Sequence, residues 1–518
     1  MAFVIGVFDF VGDRVTRGSV GCHHPFIALA DASIALADAS IALADAPIAL
    51  ADAPIALADA PIALADASIA LADAPIALVG ACVALAGACV ALVGCVPSPG
   101  SSLDAGTVVF DSALDSPSVE ASIADAEAPR VEVLSVAGDG TIGNGESLFA
   151  TISRDQRFVA FGSEATNLVA GDRNGVRDIF LRDRNLKTTE RISLGPLGAE
   201  GDGLSNDPSI SDDGRFVVFA SKASNFAIVD TNQTWDVFLL DRQGNGLTCL
   251  SCDALGRAAD KQSLQARISG DGRFVVFQSD AALTPGDANP NGDIYLYARE
   301  EKLLSLVTQA ANGKSWYPSI SRNGDLIAFD SFASNLVPGD TNGERDVFTF
   351  RRSTMAMARV SVASNGAQGQ HMSTTPALAA DAEVVAFSSW SYEFATPSVY
   401  NLDAYARDFS AGTTSRMSQS ASGNQGDRES WFPAISADGR FVAFDSTAEN
   451  LTSGSTGGLL HVYVRDRTSN AITRVASSGD KFFVSFVKFT DDATAIVFGT
   501  SDSTFAPGGN RQIVWMRR

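Results

Sequence analysis

The stretch PSISDDGRFVVFAS, from Pro208 to Ser221, has the pattern of two short β-strands joined by a tight turn. Asp-Gly is the chemistry that a two-residue hairpin turn requires, and RFVVF is apolar without strict alternation, as in a strand buried on both faces. Similar stretches occur elsewhere in the chain. They begin at Thr151, Arg267, Ser319, Ala377, Ala434 and Lys488. Such a repeat indicates an array of similar structural units.

Each copy continues with two further strand-like segments. After a loop comes a motif such as RDIFLRD (Arg177–Asp183), and after a short turn comes a segment such as ERISL (Glu190–Leu194). Each repeat therefore predicts four antiparallel strands. Seven units of this kind predict an all-β fold, a seven-bladed β-propeller in which each blade packs against its neighbours.

The two ends of the repeat region support this prediction. The chain stops at Trp515–Arg518, within the third strand of the seventh unit, and a matching fourth strand, RVEVLSV (Arg130–Val136), precedes the first unit. We expect this N-terminal strand to complete the last blade. The predicted propeller spans residues 130–518.

The repeat pattern ISxDGRxVAFxS…NLVxGDTNGxxDVFxRD resembles the TolB-type propeller repeat family of bacterial envelope proteins. The resemblance covers about Arg130–Arg518 and implies the fold. It does not imply a function, because function depends on sites built onto a fold. The best-known members have fewer blades and a preceding α/β domain, so their role in the Tol-Pal system is not carried over.

The N-terminal segment, residues 1–95, has a different character. From Ile27 it repeats IALADAS or IALADAP every seven residues, and prolines such as Pro47 and Pro54 argue against a coiled coil. We interpret these heptads as low-complexity sequence. The uncharged stretch Ala74–Val96 is long enough to cross a bilayer or to serve as a signal segment.

This stretch contains LVGC (Leu92–Cys95), which resembles a bacterial lipobox, so we predict lipidation of Cys95 and a flexible linker over residues 96–129. The protein is then exported and membrane-anchored, in the periplasm or on the outer surface. Two alternatives stay open, a plain transmembrane anchor and no export, because no Lys or Arg lies between Arg17 and Arg130.

Composition limits the function classes. The chain has 38 Lys and Arg against 60 Asp and Glu, a formal net charge of −22, which disfavours nucleic-acid binding. Its 4 His and 6 Cys leave little for a metal centre or a His-based catalytic site. We expect Cys249 and Cys252 to be two separate thiols, or a local disulfide if the strand ends between them. We also expect a monomer.

Acidic loops between the second and third strands are the candidate metal sites. Their Asp, Asn and Gly spacing resembles the oxygen ligands of a calcium loop, although Asp and Asn also stabilise turns without a metal. Calcium is therefore the candidate cofactor, with none certain. The predicted ligands are Asp172, Asn174, Asp178, Asp287, Asn289, Asn291, Asp340, Asn342 and Asp346.

Aromatic residues fall in or beside loops on this same face, where they either pack the strand ends or bind a partner. The predicted partner-binding residues are Trp235, Trp316, Tyr317, Trp390, Trp431 and Phe432.

The predicted function is a non-catalytic binding or scaffold propeller of the bacterial cell envelope that engages a protein or a saccharide. No catalytic residue is predicted, and the sequence contains no Gly-x-Ser-x-Gly motif. The rival hypothesis is an enzyme, a hydrolase or a lyase, that acts on an extracellular polymer with acidic residues of the same face.

Overall fold

The computed structural model of the chain describes residues 131–518, except 245, 288, 290, 291, 397, 398, 455, 478–485, 506 and 507. The predicted low-complexity segment 1–95, Cys95 and the predicted linker 96–129 therefore lie outside the described residues, as does the predicted ligand Asn291. Within the described part of the chain, no helix is long and apolar enough to span a membrane.

The described chain forms seven four-stranded antiparallel sheets, which are the predicted blades of a seven-bladed propeller. The first, innermost strands are β2 (Ser147–Ile152), β6 (Ser205–Ile210), β10 (Ser263–Ile268), β14 (Ser315–Ile320), β18 (Ser373–Leu378), β22 (Ser430–Ile435) and β26 (Lys488–Phe489). The second strands are β3 (Phe158–Ser163), β7 (Phe216–Ser221), β11 (Phe274–Ser279), β15 (Leu326–Ser331), β19 (Val384–Ser389), β23 (Phe441–Ser446) and β27 (Ala495–Thr500).

The third strands are β4 (Asp178–Asp183), β8 (Asp236–Asp241), β12 (Asp293–Ala298), β16 (Asp346–Arg351), β20 (Asp403–Asp408), β24 (His461–Asp466) and β28 (Gln512–Arg517). The fourth, outermost strands are β5 (Thr188–Arg191), β9 (Gly246–Cys249), β13 (Leu303–Leu306), β17 (Ala356–Arg359), β21 (Thr413–Arg416), β25 (Ile472–Ser477) and, in the last blade, β1 (Val131–Val133). We number the blades 1 to 7 from β2 onward.

The ring closes as predicted from the two chain ends. Strand β1 pairs antiparallel with β28, with Val131 opposite Met516 and Val133 opposite Val514. Leu134, the next residue, is fully buried in the cluster between blades 7 and 1. The N-terminal strand thus supplies the fourth strand of blade 7.

The core lies between blades. Seven clusters of buried apolar residues fill the seven blade-to-blade interfaces, so each blade buries both faces. The second and third strands of most blades also stack an aromatic pair. Phe219 and Phe238, with ring centroids 6.1 Å apart, form one such pair. This explains why RFVVF lacks alternation: both of its faces meet apolar neighbours.

Serine pairs hold the start of each first strand. In six blades the hydroxyl of its first residue hydrogen-bonds to the hydroxyl of the last residue of the second strand, as Ser205 does to Ser221 at 3.0 Å. The second of these serines also accepts the backbone N–H two residues later, for example that of Ala223 at 3.0 Å. These two bonds explain why both positions are serine in six blades.

The cysteine pair differs from the preferred prediction of separate thiols. Strand β9 ends at Cys249, so Cys252 lies outside the strand, and the two residues form a disulfide with a Cα–Cα distance of 5.4 Å. The end of the strand between them removes the opposite-facing geometry that would have kept the thiols apart.

Closure by β1 predicts the effect of a truncation. A chain that starts at Gly138 loses β1 and buried Leu134 and exposes the edge of β28, so we expect it to lose at least about 3 kcal/mol of stability and to self-associate. A chain that starts at Ala121 is the control and should stay monomeric. Urea unfolding and size-exclusion chromatography measure both effects, and equal stability of the two chains would contradict the closure.

Candidate functional site

The two ends of the propeller axis are built differently. On one end, which we call the loop face, the start of the first strand of each of blades 1 to 6 is bonded to the loop that precedes the third strand of the previous blade. One example is the Ser205 N–H, which donates to the Arg177 carbonyl at 2.7 Å. On the other end, the turn face, lie the tight turns between first and second strands. Backbone bonds link neighbouring turns, as from Asp212 N–H to Gly270 O at 2.9 Å.

An axial pocket of about 630 Å³ runs between these ends and is lined by the first strands of all seven blades. Each first strand that pairs over its full length contains a β-bulge, and in every blade the residue at this position has a left-handed backbone and lines the pocket. These seven residues, which we call the pocket ring, are Phe149, Asp207, Gln265, Tyr317, Thr375, Phe432 and Phe486, with φ between 46° and 58°.

Left-handed backbone at seven non-glycine residues is costly, about 1 kcal/mol or more at each. Such strain persists only where surrounding structure enforces it, and it concentrates at functional sites. Here the bulge repeats in register around one axis, so the ring is a property of the repeat itself. Its members differ in chemistry although they share a conformation.

The ring has an aromatic side and a polar side. Phe486 lies between Phe149 and Phe432, at centroid distances of 4.4 Å and 5.9 Å, and these residues belong to blades 7, 1 and 6. The polar residues come from blades 2 to 5. Among them, Gln265 accepts the backbone N–H of Tyr317 at 2.8 Å. The pocket can therefore contact an apolar surface on one side and form hydrogen bonds on the other.

Five charged residues line the pocket, and three of them, Asp207, Arg267 and Lys488, lie on its first strands. Arg267 is paired with Asp207 at 2.9 Å, and Lys488 lies on the pocket wall near both. The Lys488 side chain is open to the water of the pocket but is surrounded by protein. This burial lowers the pKa of its ammonium group to about 8, with Arg267 acting in the same direction and Asp207 in the opposite one. The group is positioned to interact with a ligand that carries negative charge.

An ion-pair network closes the pocket at the turn face. Arg322, on the turn of blade 4, also lines the pocket and binds Asp212 of blade 2, Asp381 of blade 5 and Asp491 of blade 7. Arg154 of blade 1 adds a second bond to Asp491, at 2.9 Å. One guanidinium thus connects blades across the axis, and a ligand can approach the pocket from the loop face.

The predicted aromatic residues divide into two groups. Trp235, Tyr317 and Phe432 line the axial pocket. Trp316 instead packs on Phe332 at 5.8 Å and lies under Arg345 at 5.2 Å. The remaining two, Trp390 and Trp431, are half-buried and are not part of the pocket lining.

The sequence prediction missed Phe149, Phe486, Lys488, Arg267 and Arg322. Aligning the residue two positions before each repeat start, Thr151 and Lys488 among them, would have found the two phenylalanines. No local signal marks Arg322, because its partners come from other blades.

The predicted metal ligands of blades 1 and 4 surround arginines. In blade 1, one oxygen each of Asp172, Asp178 and Glu200 lie within 4.8 Å of one another, an acidic group that could hold a metal ion. Arg191 already contacts all three, at 3.2, 3.3 and 2.5 Å. The guanidinium therefore provides the positive charge that buried carboxylates require.

Blade 4 repeats this arrangement. Arg359 lies 3.4 Å from Asp340 and 3.5 Å from Asp346. Asn342 donates its amide to Asp346 at 3.0 Å, and Asn174 does the same to Asp178 at 2.9 Å in blade 1. In these two blades the asparagines therefore use their nitrogen to stabilise the loop.

No protein-family model matches the chain, and no curated protein matches it. Among solved structures, an oligogalacturonate lyase in complex with manganese is 13% identical, with a TM-score of 0.49 over 75% of this chain and 92% of that chain. An oligogalacturonate lyase from Vibrio parahaemolyticus is 12% identical, with a TM-score of 0.49 over 75% and 93%. TolB from Acinetobacter baumannii is 12% identical, with a TM-score of 0.33 over 66% and 76%.

Removing Arg322 should destabilise the propeller. In Arg322→Met, three carboxylates face one another without their shared cation, so we expect a loss of about 2 to 4 kcal/mol in urea unfolding at low salt. High salt should recover part of this loss because it screens the repulsion. The control is Arg428→Met, which removes an exposed ion pair with Glu449 and should cost less than about 1 kcal/mol. Equal losses in both variants would contradict the cross-axis role.

Asp236 should make stability depend on pH. Burial raises the pKa of its carboxyl to about 6, and blade 2 has Cys249 where blades 1 and 4 have arginine. Because the folded-state pKa lies above the unfolded one, its contribution is present at pH 4 and is lost as pH rises through about 6. Acidification from pH 7.5 to 5 should stabilise the parent by about 1.4 kcal/mol more than Asp236→Asn. Thermal unfolding at the two pH values tests this, and identical pH slopes would contradict it.

Proposed function

We propose that this protein is a non-catalytic binding protein of the bacterial cell envelope, whose axial pocket takes part of a protein or saccharide partner from the loop face. The observation that carries the proposal is the pocket ring: seven strained residues converge on one cavity that Arg322 closes at the turn face. A volume of about 630 Å³ is in the range of small-molecule sites, enough for a short segment of a peptide or a glycan.

The chemistry of the pocket supports this choice of partner. Peptides and sugars both combine apolar faces with hydrogen-bonding groups. Such ligands are complementary to a pocket ring with one aromatic and one polar side. The cations that line the pocket outnumber the anions by three, Arg267, Arg322 and Lys488, to two, Asp207 and Asp212, which favours a partner with a negative group there. The envelope location is supported by the uncharged segment Ala74–Val96 and its lipobox-like end.

The binding role is tested on peptide and glycan arrays with purified protein. We expect Phe432→Ala to weaken binding of the best ligand at least about tenfold, because an aromatic wall of the pocket is lost. Tyr400→Ser is the control: Tyr400 is exposed and is not part of the pocket lining, so this variant should bind like the parent. Circular dichroism confirms folding of both. Full binding by folded Phe432→Ala would overturn the proposal.

One observation favours a second candidate, an enzyme that acts on an extracellular polymer. An amine with a pKa near 8 inside a pocket can act as a base near neutral pH, and Asp207 provides an acidic residue beside it. Turnover of a polysaccharide or peptide that is lost in both Lys488→Met and Asp207→Asn would favour the enzyme over the binding protein.

A further inference from the structure

We propose that blade 3 binds a calcium ion through Asp287 and Asp293, at the position that an arginine guanidinium occupies in blades 1 and 4. This site lies in the loop before β12 and is separate from the axial pocket, so it does not depend on the proposed function.

An internal comparison of the blades leads to this inference. Blade 3 has the same loop acids as blades 1 and 4, since Asp287 and Asp293 correspond to Asp340 and Asp346. The fourth strand differs. Arg359 of blade 4 stands opposite Phe348 on the neighbouring strand, and the matching position opposite Tyr295 in blade 3 is Leu306. Blade 3 therefore keeps two loop carboxylates and lacks the cation built in beside them.

A buried oxygen of Asp293 indicates where a cation would bind. The residue is fully buried, and its Oδ1 accepts the hydroxyl of Thr308 at 2.6 Å. Among the residues that the structure describes, no group hydrogen-bonds to its Oδ2. In blade 4 the Oδ2 of Asp346 faces Arg359, at 3.5 Å. The unpartnered oxygen thus corresponds to the one that meets the guanidinium in blade 4.

Nearby groups of blade 3 do not supply this charge. Lys314 is bound to Asp280 at 2.9 Å. Asp287 accepts the hydroxyl of Tyr295 through one oxygen and the backbone N–H of Asn289, at 3.0 Å, through the other. Asn289 links the two acids: its backbone N–H donates to Asp287 and its side-chain nitrogen donates to Asp293 at 3.3 Å, so the two like-charged carboxylates lie close together. A divalent cation would relieve both the repulsion and the unpaired oxygen.

The donors select calcium among the common metals. Asp287 and Asp293 offer hard carboxylate oxygens, which suit Ca²⁺, and the flexible coordination of Ca²⁺ demands less of their geometry than the strict octahedron of Mg²⁺. Asp287 is partly exposed, so an ion can reach it from solvent. The proposal does not extend to blade 2, because both oxygens of Asp236 are already bonded, to Ser251 at 2.7 Å and to Asn232 at 3.1 Å.

Isothermal titration of the full chain with CaCl₂, after treatment with a chelator, tests the proposal. We expect one site per chain with a dissociation constant of about 10⁻⁴ to 10⁻³ M, as in extracellular calcium modules, and weaker binding of MgCl₂. Asp293→Asn should weaken calcium binding at least about tenfold. The matched control Asp346→Asn makes the same change beside an arginine and should leave the affinity unchanged.

A substitution that supplies the missing cation is a further test. Leu306→Arg should abolish calcium binding while the chain stays folded; if this variant does not fold, the pair of aspartate variants decides. The proposal is overturned if the parent shows no binding at 10-fold the upper expected constant, if Asp293→Asn binds like the parent, or if magnesium binds more tightly than calcium.

Discussion

A propeller buries its blade faces only if every blade has a neighbour on both sides, and this condition must be met where the two chain ends come together. Here β1 meets it by pairing with β28, which places Leu134 in the cluster between blades 7 and 1. Without this pairing, one interface would open and the apolar faces of two blades would meet water. The axial pocket and the loop sites depend on that closure, because residues from all seven blades form the pocket.

In the closed ring the first strands of all blades surround one axial pocket, and the repeat determines which side chains line that pocket. The bulge recurs in six first strands, and in every blade the residue at this position contributes its side chain to the pocket ring. This side chain can differ from blade to blade, because the apolar strands hold each blade in place. The result is a pocket with an aromatic side, formed by Phe149, Phe432 and Phe486, and a polar side opposite.

Arginines neutralise the carboxylates of this molecule in two ways. Arg322 ties carboxylates of separate blades together across the axis, whereas Arg191 and Arg359 neutralise carboxylates within their own blades. Both devices answer the same constraint, since a buried or crowded carboxylate needs a cation or a proton. Blade 3 has the carboxylates without the arginine, and this difference is the basis for placing calcium there.

The sequence predicted the fold well because its signals are local: Asp-Gly turns and apolar strands repeat in register. It predicted the site less well. Tyr317 and Phe432 reach the pocket, but the bulge that turns them inward is not visible in the residues themselves, and Trp316 follows the opposite face of its strand. The disulfide depended on where β9 ends, and the arginines that neutralise the loop acids lie on the fourth strand, where only the hairpin register brings them beside those acids.

The most direct test of the axial site is a crystal structure of the protein with the best ligand from the arrays. The account predicts electron density for the ligand inside the axial pocket, in contact with Phe432 and Lys488, and continuous with solvent at the loop face. Ligand density on the outer strands or at the turn face, with an unoccupied pocket, would contradict it.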